Sequence, residues 1–176
     1  KPILIYWVMA VSRVVLGASN LATHLPSVLA AWAMILLTYR LGAELGARGV
    51  GCRAGWILGG CGLFLVLESL SLTDNLLALF VSLAMFLCHR HFNARRGSDR
   101  WLLWIVLGFA WLAKGPIGLA LPAAAIIGER WLAVGFGGVA RALTSFAPVR
   151  GLAILTAIIG PWHLAVGLRD LRHLEC

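Results

Sequence analysis

The 176-residue chain is 61% hydrophobic and only 12% charged, with a mean hydropathy of +0.90. Soluble domains run nearer half apolar and a quarter charged, so this composition sets a soluble fold aside and points to a multi-pass membrane protein. The net charge of +8 comes from arginines gathered between apolar runs, as in inward membrane loops, so nucleic acid is not the expected partner.

In chain order, "KPILIYW" opens the sequence with Lys1, and residues 3–17 are apolar but short. That run suits a helix lying along the membrane surface better than a span. Lys1 then reads either as a snorkelling anchor beside the aromatic pair Tyr6 and Trp7, or as a cation that holds a lipid phosphate. Six spans are predicted, at about 21–41, 54–72, 75–90, 101–113, 116–134 and 150–168, each near the length that crosses a bilayer or somewhat short of it. The fold class is therefore all-α, a polytopic membrane helix bundle.

Asp74, in "LTDNLLALF", stands where the second predicted span gives way to the third. It reads as a helix N-cap or as part of a working site, and the two roles are compatible. Lys114, in "LAKGPIG", is either a solvated loop lysine or a cation set beside backbone N–H groups in a turn suited to an anion. The helix before it, Trp101 to Leu112, rises only about 18 Å, against a hydrocarbon core of about 30 Å. Unless that helix extends into the arginine-rich loop, the turn is expected to sit in a recess. Further on, "PWHLAVGLRD" carries His163, a buried hydrogen-bonded ring or a metal ligand, and Arg169, which the helix dipole alone would favour at a helix end.

Sorting the loops by arginine gives the orientation. Arg40, Arg48 and Arg53 flank one turn; Arg90, Arg95, Arg96 and Arg100 fill a second; Arg130, Arg141 and Arg150 fill a third. These alternate turns are expected to face the cytoplasm. Lys1, Asp74, Lys114, His163 and Arg169 then share the other side, where charges at span ends line a cavity or substrate path. Cys52, Cys61, Cys88 and Cys176 lie far apart without metal or redox spacing. No Walker loop, GxGxxG, HExxH or GxSxG occurs.

The order "KPILIYW", "LTDNLLALF", "LAKGPIGLALP", "PWHLAVGLRD" resembles the aminoarabinose transferase (ArnT) and protein O-mannosyltransferase group of GT-C-type integral-membrane glycosyltransferases. The resemblance covers nearly the whole chain. It implies transfer of a sugar from a polyprenyl-phosphate carrier to a lipid, glycan or protein acceptor at the outer face of the cytoplasmic membrane. It also implies that Lys1 and Arg169 hold the carrier phosphate, that Asp74 and Lys114 line the donor-sugar cavity, and that His163 stands where some relatives place a metal ligand; a divalent ion is thus the one cofactor in view. Ile3 replaces a proline common in the group. The group's acidic catalytic motif is expected upstream of Lys1, and its C-terminal outer domain beyond the last residue, so the chain reads as an inactive piece of one transmembrane domain. The rival reading is a transporter or lipid-carrier flippase that uses the same charged recess for passage.

Overall fold

The computed structural model describes residues 3–17, 19–70, 72–94 and 97–173. Lys1, Arg95, Arg96 and Cys176 lie outside the described residues. All regular elements among the described residues are helices: α1 (Leu4–Leu16), α2 (Asn20–Leu45), α3 (Arg48–Gly60), α4 (Gly62–Leu70), α5 (Leu72–Ala94), α6 (Gly97–Lys114), α7 (Ile117–Val134), α8 (Phe136–Ser145) and α9 (Pro148–His173). Four stretches are long and apolar enough to cross a membrane: Asn20–Leu45, Asp74–Asn93, Ile117–Val134 and Pro148–Leu168. The outward surface carries Val14 at 86% exposure, Leu132 at 84% and Val149 at 83%. Apolar side chains bared to that extent are matched to lipid rather than to water.

Two clusters order the bundle along its length. One joins Leu4 and Ile5 of α1, Ala30 of α2, Leu76 of α5, and Leu112 and Ala113 of α6. The other joins Leu87 of α5, Leu103 and Leu107 of α6, Ile126 of α7 and Leu155 of α9. The start of α5 thus packs beside the end of α6, and the end of α5 beside the start of α6. The pair is an antiparallel hairpin, and it carries an ion pair at both ends. Lys114 Nζ meets Asp74 Oδ1 at one end, and Arg90 Nε lies 3.4 Å from Asp99 Oδ2 at the other.

Three expectations change. The predicted span at 54–72 is interrupted, because Cys61 takes an extended conformation (φ −74°, ψ 107°) after α3 and α4 starts afresh at Gly62. Glycines at 59, 60 and 62 weaken helix propagation there. The helix ending at Lys114 does extend into the arginine-rich loop, starting at Gly97 and running 18 residues, about 27 Å. A helix of that length nearly matches the hydrocarbon core, so its length does not draw the turn into a recess. Finally, the loop holding Arg141 contains a helix of its own, α8, of 10 residues.

One contact follows directly from backbone chemistry. Pro26 lies inside α2 and has no N–H, so the carbonyl four residues earlier loses its helical donor. That carbonyl belongs to Ala22, and the buried Ser12 hydroxyl of α1 donates to it at 2.5 Å. Ser19 caps the same helix, its side chain accepting from the Ala22 N–H. Replacing Ser12 with Ala should cost about 1–3 kcal/mol, since the buried acceptor is left unpaired. In a Pro26→Ala background the cost should shrink, because alanine at that position restores the missing N–H. Equal losses in the two backgrounds, measured by denaturation in detergent, would show the two residues to be independent.

Candidate functional site

The "LAKGPIG" segment folds as a tight α6–α7 turn. Gly115 adopts φ +71°, a left-handed conformation that glycine alone adopts freely, and terminates α6. Its N–H donates to the Trp111 carbonyl at 2.6 Å. Pro116, with φ −56°, precedes the first residue of α7, where its missing N–H leaves no helical bond unmade. The Gly118 N–H donates to the Gly115 carbonyl at 3.0 Å. A side chain at residue 118 would run into the Ala110 carbonyl, so a bare backbone lets α7 fold back on α6. The result fixes Lys114 at the rim of the bundle.

Asp74 reaches Lys114 from the neighbouring helix. It lies in the first turn of α5, two residues inside the helix that begins at Leu72, and so is not the N-cap residue. A carboxylate there is still favoured by the helix dipole. It pairs directly with Lys114 Nζ, so the two charges that the sequence separates by 40 positions form one unit.

Beside this pair opens a cavity of about 530 Å³, walled by Ile3, Trp111, Lys114, Gly115, Trp162 and His163. His163 lies one helical turn beyond Ile159 on α9, its Nδ1 3.0 Å from the Ile159 carbonyl oxygen. The His163 ring faces Trp111 with centroids 6.4 Å apart, and Trp7 meets Trp162 edge-on at 6.1 Å. The arrangement is a cation and a histidine at the rim of an aromatic hollow. It suits a ligand with an anionic group and an apolar portion.

Of the residues singled out in the sequence, Lys114 and His163 line this cavity, and Asp74 adjoins it through Lys114. Lys1 lies outside the described residues, although Ile3, two positions on, is in the wall. Arg169 falls on α9 two residues after Gly167, another wall residue, but its side chain lies outside the described part. Among the described residues no group of three or more His, Cys, Asp or Glu side chains could share a metal ion. His163 therefore has no such partners among the described residues. Trp111 was not foreseen. Its signal was present: it precedes Lys114 by three residues, which puts both on one face of α6.

The model of the dolichyl-phosphate-mannose-protein mannosyltransferase family matches residues 1–164. The chain belongs to that family. Two curated relatives agree, both described as undecaprenyl phosphate-alpha-4-amino-4-deoxy-L-arabinose arabinosyl transferase 2. The one from Proteus mirabilis (strain HI4320) is 32% identical over 132 residues, covering 72% of this chain and 24% of the relative. The one from Sodalis glossinidius (strain morsitans) is 28% identical over the same length and coverage. The chain thus spans about a quarter of the length of the relatives it matches. No solved structure matches it. Family membership and the apolar helices together make it a multi-pass membrane protein.

Proposed function

We propose that this chain forms part of the donor site of a glycosyltransferase that moves a sugar from a polyprenyl-phosphate carrier to a lipid, glycan or protein acceptor. The observation that carries the proposal is the Lys114–Asp74 pair at the rim of the aromatic cavity, in a family whose matched relatives are named for an undecaprenyl-phosphate-linked sugar. Breaking the glycosidic C–O bond leaves negative charge on the carrier phosphate, and a preorganised cation stabilises that charge as it develops. Lys114 supplies the cation. Lys1 and Arg169, one before and one after residues that wall the cavity, are assigned to the same phosphate. Only the head of the carrier needs to enter, because its isoprenoid tail remains among lipid and the apolar flanks of α1 and α9.

Asp74 serves in two ways. It holds Lys114 in place before the donor binds, and it offers a hydrogen-bond acceptor to the sugar. Catalytic base action is assigned to an acidic residue elsewhere in the full-length protein. The reacting face is placed on the side away from the arginine-rich turns, at the outer face of the cytoplasmic membrane.

The test is Asp74→Asn in the full-length protein, assayed for transfer from a polyprenyl-phosphate-linked sugar in detergent or vesicles. The substitution keeps a polar group in the first turn and removes only the charge. Transfer should fall at least about tenfold while stability changes by no more than about 1 kcal/mol. Undiminished transfer would reduce Asp74 to a helix-end charge and remove it from the site.

A further inference from the structure

The opposite end of the bundle carries a second cavity that sugar transfer does not use. It measures about 320 Å³ and lies between the last turns of α5 and α7 and the helix α8, with His91, Phe92, Arg130, Arg141 and Ser145 in its wall. Asp74 and His91 are 17 positions apart on α5, so the two sites are separated by about 26 Å along the helix. That distance is close to the thickness of a hydrocarbon core, which puts the second cavity at the depth of the lipid headgroups.

Its polar groups are built in rather than loosely arrayed. The Arg130 guanidinium stacks over the Phe92 ring at 3.8 Å. Glu129 holds it through two contacts, Nε to Oε2 at 2.9 Å and Nη2 to Oε1 at 2.6 Å. A guanidinium has five N–H donors, so this clamp fixes Arg130 while leaving donors over for another ligand. Glu129 offsets one positive charge, and Arg141 forms no ion pair among the described residues. The cavity therefore keeps a net positive charge.

His91 packs on Phe146 with centroids 4.8 Å apart, and its Nε2 lies 3.4 Å from Ser145 Oγ. Its Nδ1 is buried without a hydrogen-bond partner. That atom marks a shortfall of hydrogen bonding beside the cavity.

We infer that this cavity binds the phosphate of an anionic membrane phospholipid, through Arg130, Arg141 and His91. Phosphate is favoured because the side chains of Arg130, Arg141 and His91 line one small volume. A lipid is favoured over a free anion because apolar surface continues directly from the cavity. On the last turns of α7, Trp131 is 50% exposed, Leu132 84% and Val134 62%, a surface that acyl chains cover and inorganic phosphate does not. The lipid fills a gap between α5, α7 and α8 and holds α8 against the bundle at the membrane surface.

The experiment uses the full-length protein in phosphatidylcholine nanodiscs that contain a minority of phosphatidylglycerol, with native mass spectrometry counting the lipids retained. Wild type should keep phosphatidylglycerol in preference to phosphatidylcholine. Arg141→Ala should lower that retention about fivefold, the worth of one surface arginine, and Arg141→Lys should restore most of it. Arg48→Ala, on a different arginine-rich turn, should leave it unchanged. Equal losses from Arg141→Ala and Arg48→Ala would overturn the site in favour of general attraction to a basic face. Absence of any preference for phosphatidylglycerol would also overturn it. Displacement of the lipid by millimolar inorganic phosphate would assign the cavity to a soluble anion instead.

Discussion

Lys114→Ala in the full-length protein should reduce transfer by about 10²–10³-fold in kcat, as removal of one preorganised charge from a developing oxyanion does elsewhere. The loss should not come from unfolding. The Lys114 and Asp74 side chains are 38% and 53% exposed, and an ion pair that open to its surroundings contributes only about 0–1 kcal/mol to stability. Membrane insertion and thermal denaturation should therefore resemble wild type. A charge exchange separates the two uses of the lysine. In the double variant Lys114→Asp, Asp74→Lys, an ion pair can still form, but its cation now stands on α5. If Lys114 merely ties α5 to α6, the exchange should recover activity. If it faces the donor phosphate, activity should stay low despite the restored pair, and that is the expected result. Recovery to near wild-type rates would remove Lys114 from the proposed chemistry.

Gly118→Val should be the most damaging single change to the fold around the site. Its Cβ would meet the Ala110 carbonyl, with the Trp111 backbone nitrogen just beyond, and neither is the movable end of a side chain. Opening the α6–α7 turn enough to admit the side chain should cost about 1–3 kcal/mol or more. The same movement would swing Lys114 away from Asp74 and widen the wall at Gly115. Both the midpoint of unfolding and transfer activity should fall, with Gly118→Ala giving a smaller loss of each. A variant with wild-type stability would mean that the turn is looser than the Gly115–Gly118 hydrogen bond implies. At Gly128 a Cβ would meet nothing within 4 Å, so the same replacement should be tolerated there and serves as the control.

Several features were legible before any tertiary structure. The apolar runs separated by arginine clusters pointed to an all-α membrane bundle, because long uninterrupted apolar runs satisfy their backbone in lipid as helices, whereas barrel strands are short and alternate apolar with polar. The placement of Asp74, Lys114 and His163 on one side followed from the arginine-rich turns alone. In the structure Asp74 pairs with Lys114, and Lys114 and His163 line one cavity. The break at Cys61 was harder to see, since glycines are common within membrane helices and only packing decides which of them interrupts the chain. The extension of α6 back to Gly97 was hidden by Arg100, which read as a loop residue together with Arg90, Arg95 and Arg96. Asp99, just before it, is only 4% exposed, and its Oδ2 lies 3.4 Å from Arg90 Nε without a hydrogen bond, so its charge is offset by a nearby cation rather than by solvent.

The pairing of Asp74 with Lys114 was not available from spacing, because residues 40 positions apart in sequence meet only when two helices run antiparallel in one particular register. The same holds for Ser12 and Ala22: the sequence shows that Pro26 strips a donor from the helix, but not which hydroxyl replaces it. By itself the sequence determined the solvent this protein is built for, its helical class, and that Asp74, Lys114 and His163 share one end of the bundle, since these depend on composition, local period and the order of the arginine-rich turns. Only the tertiary structure decided which charges meet and where the cavities open. Those depend on interhelical register, for which a uniformly apolar helix surface offers too little contrast to read along the chain.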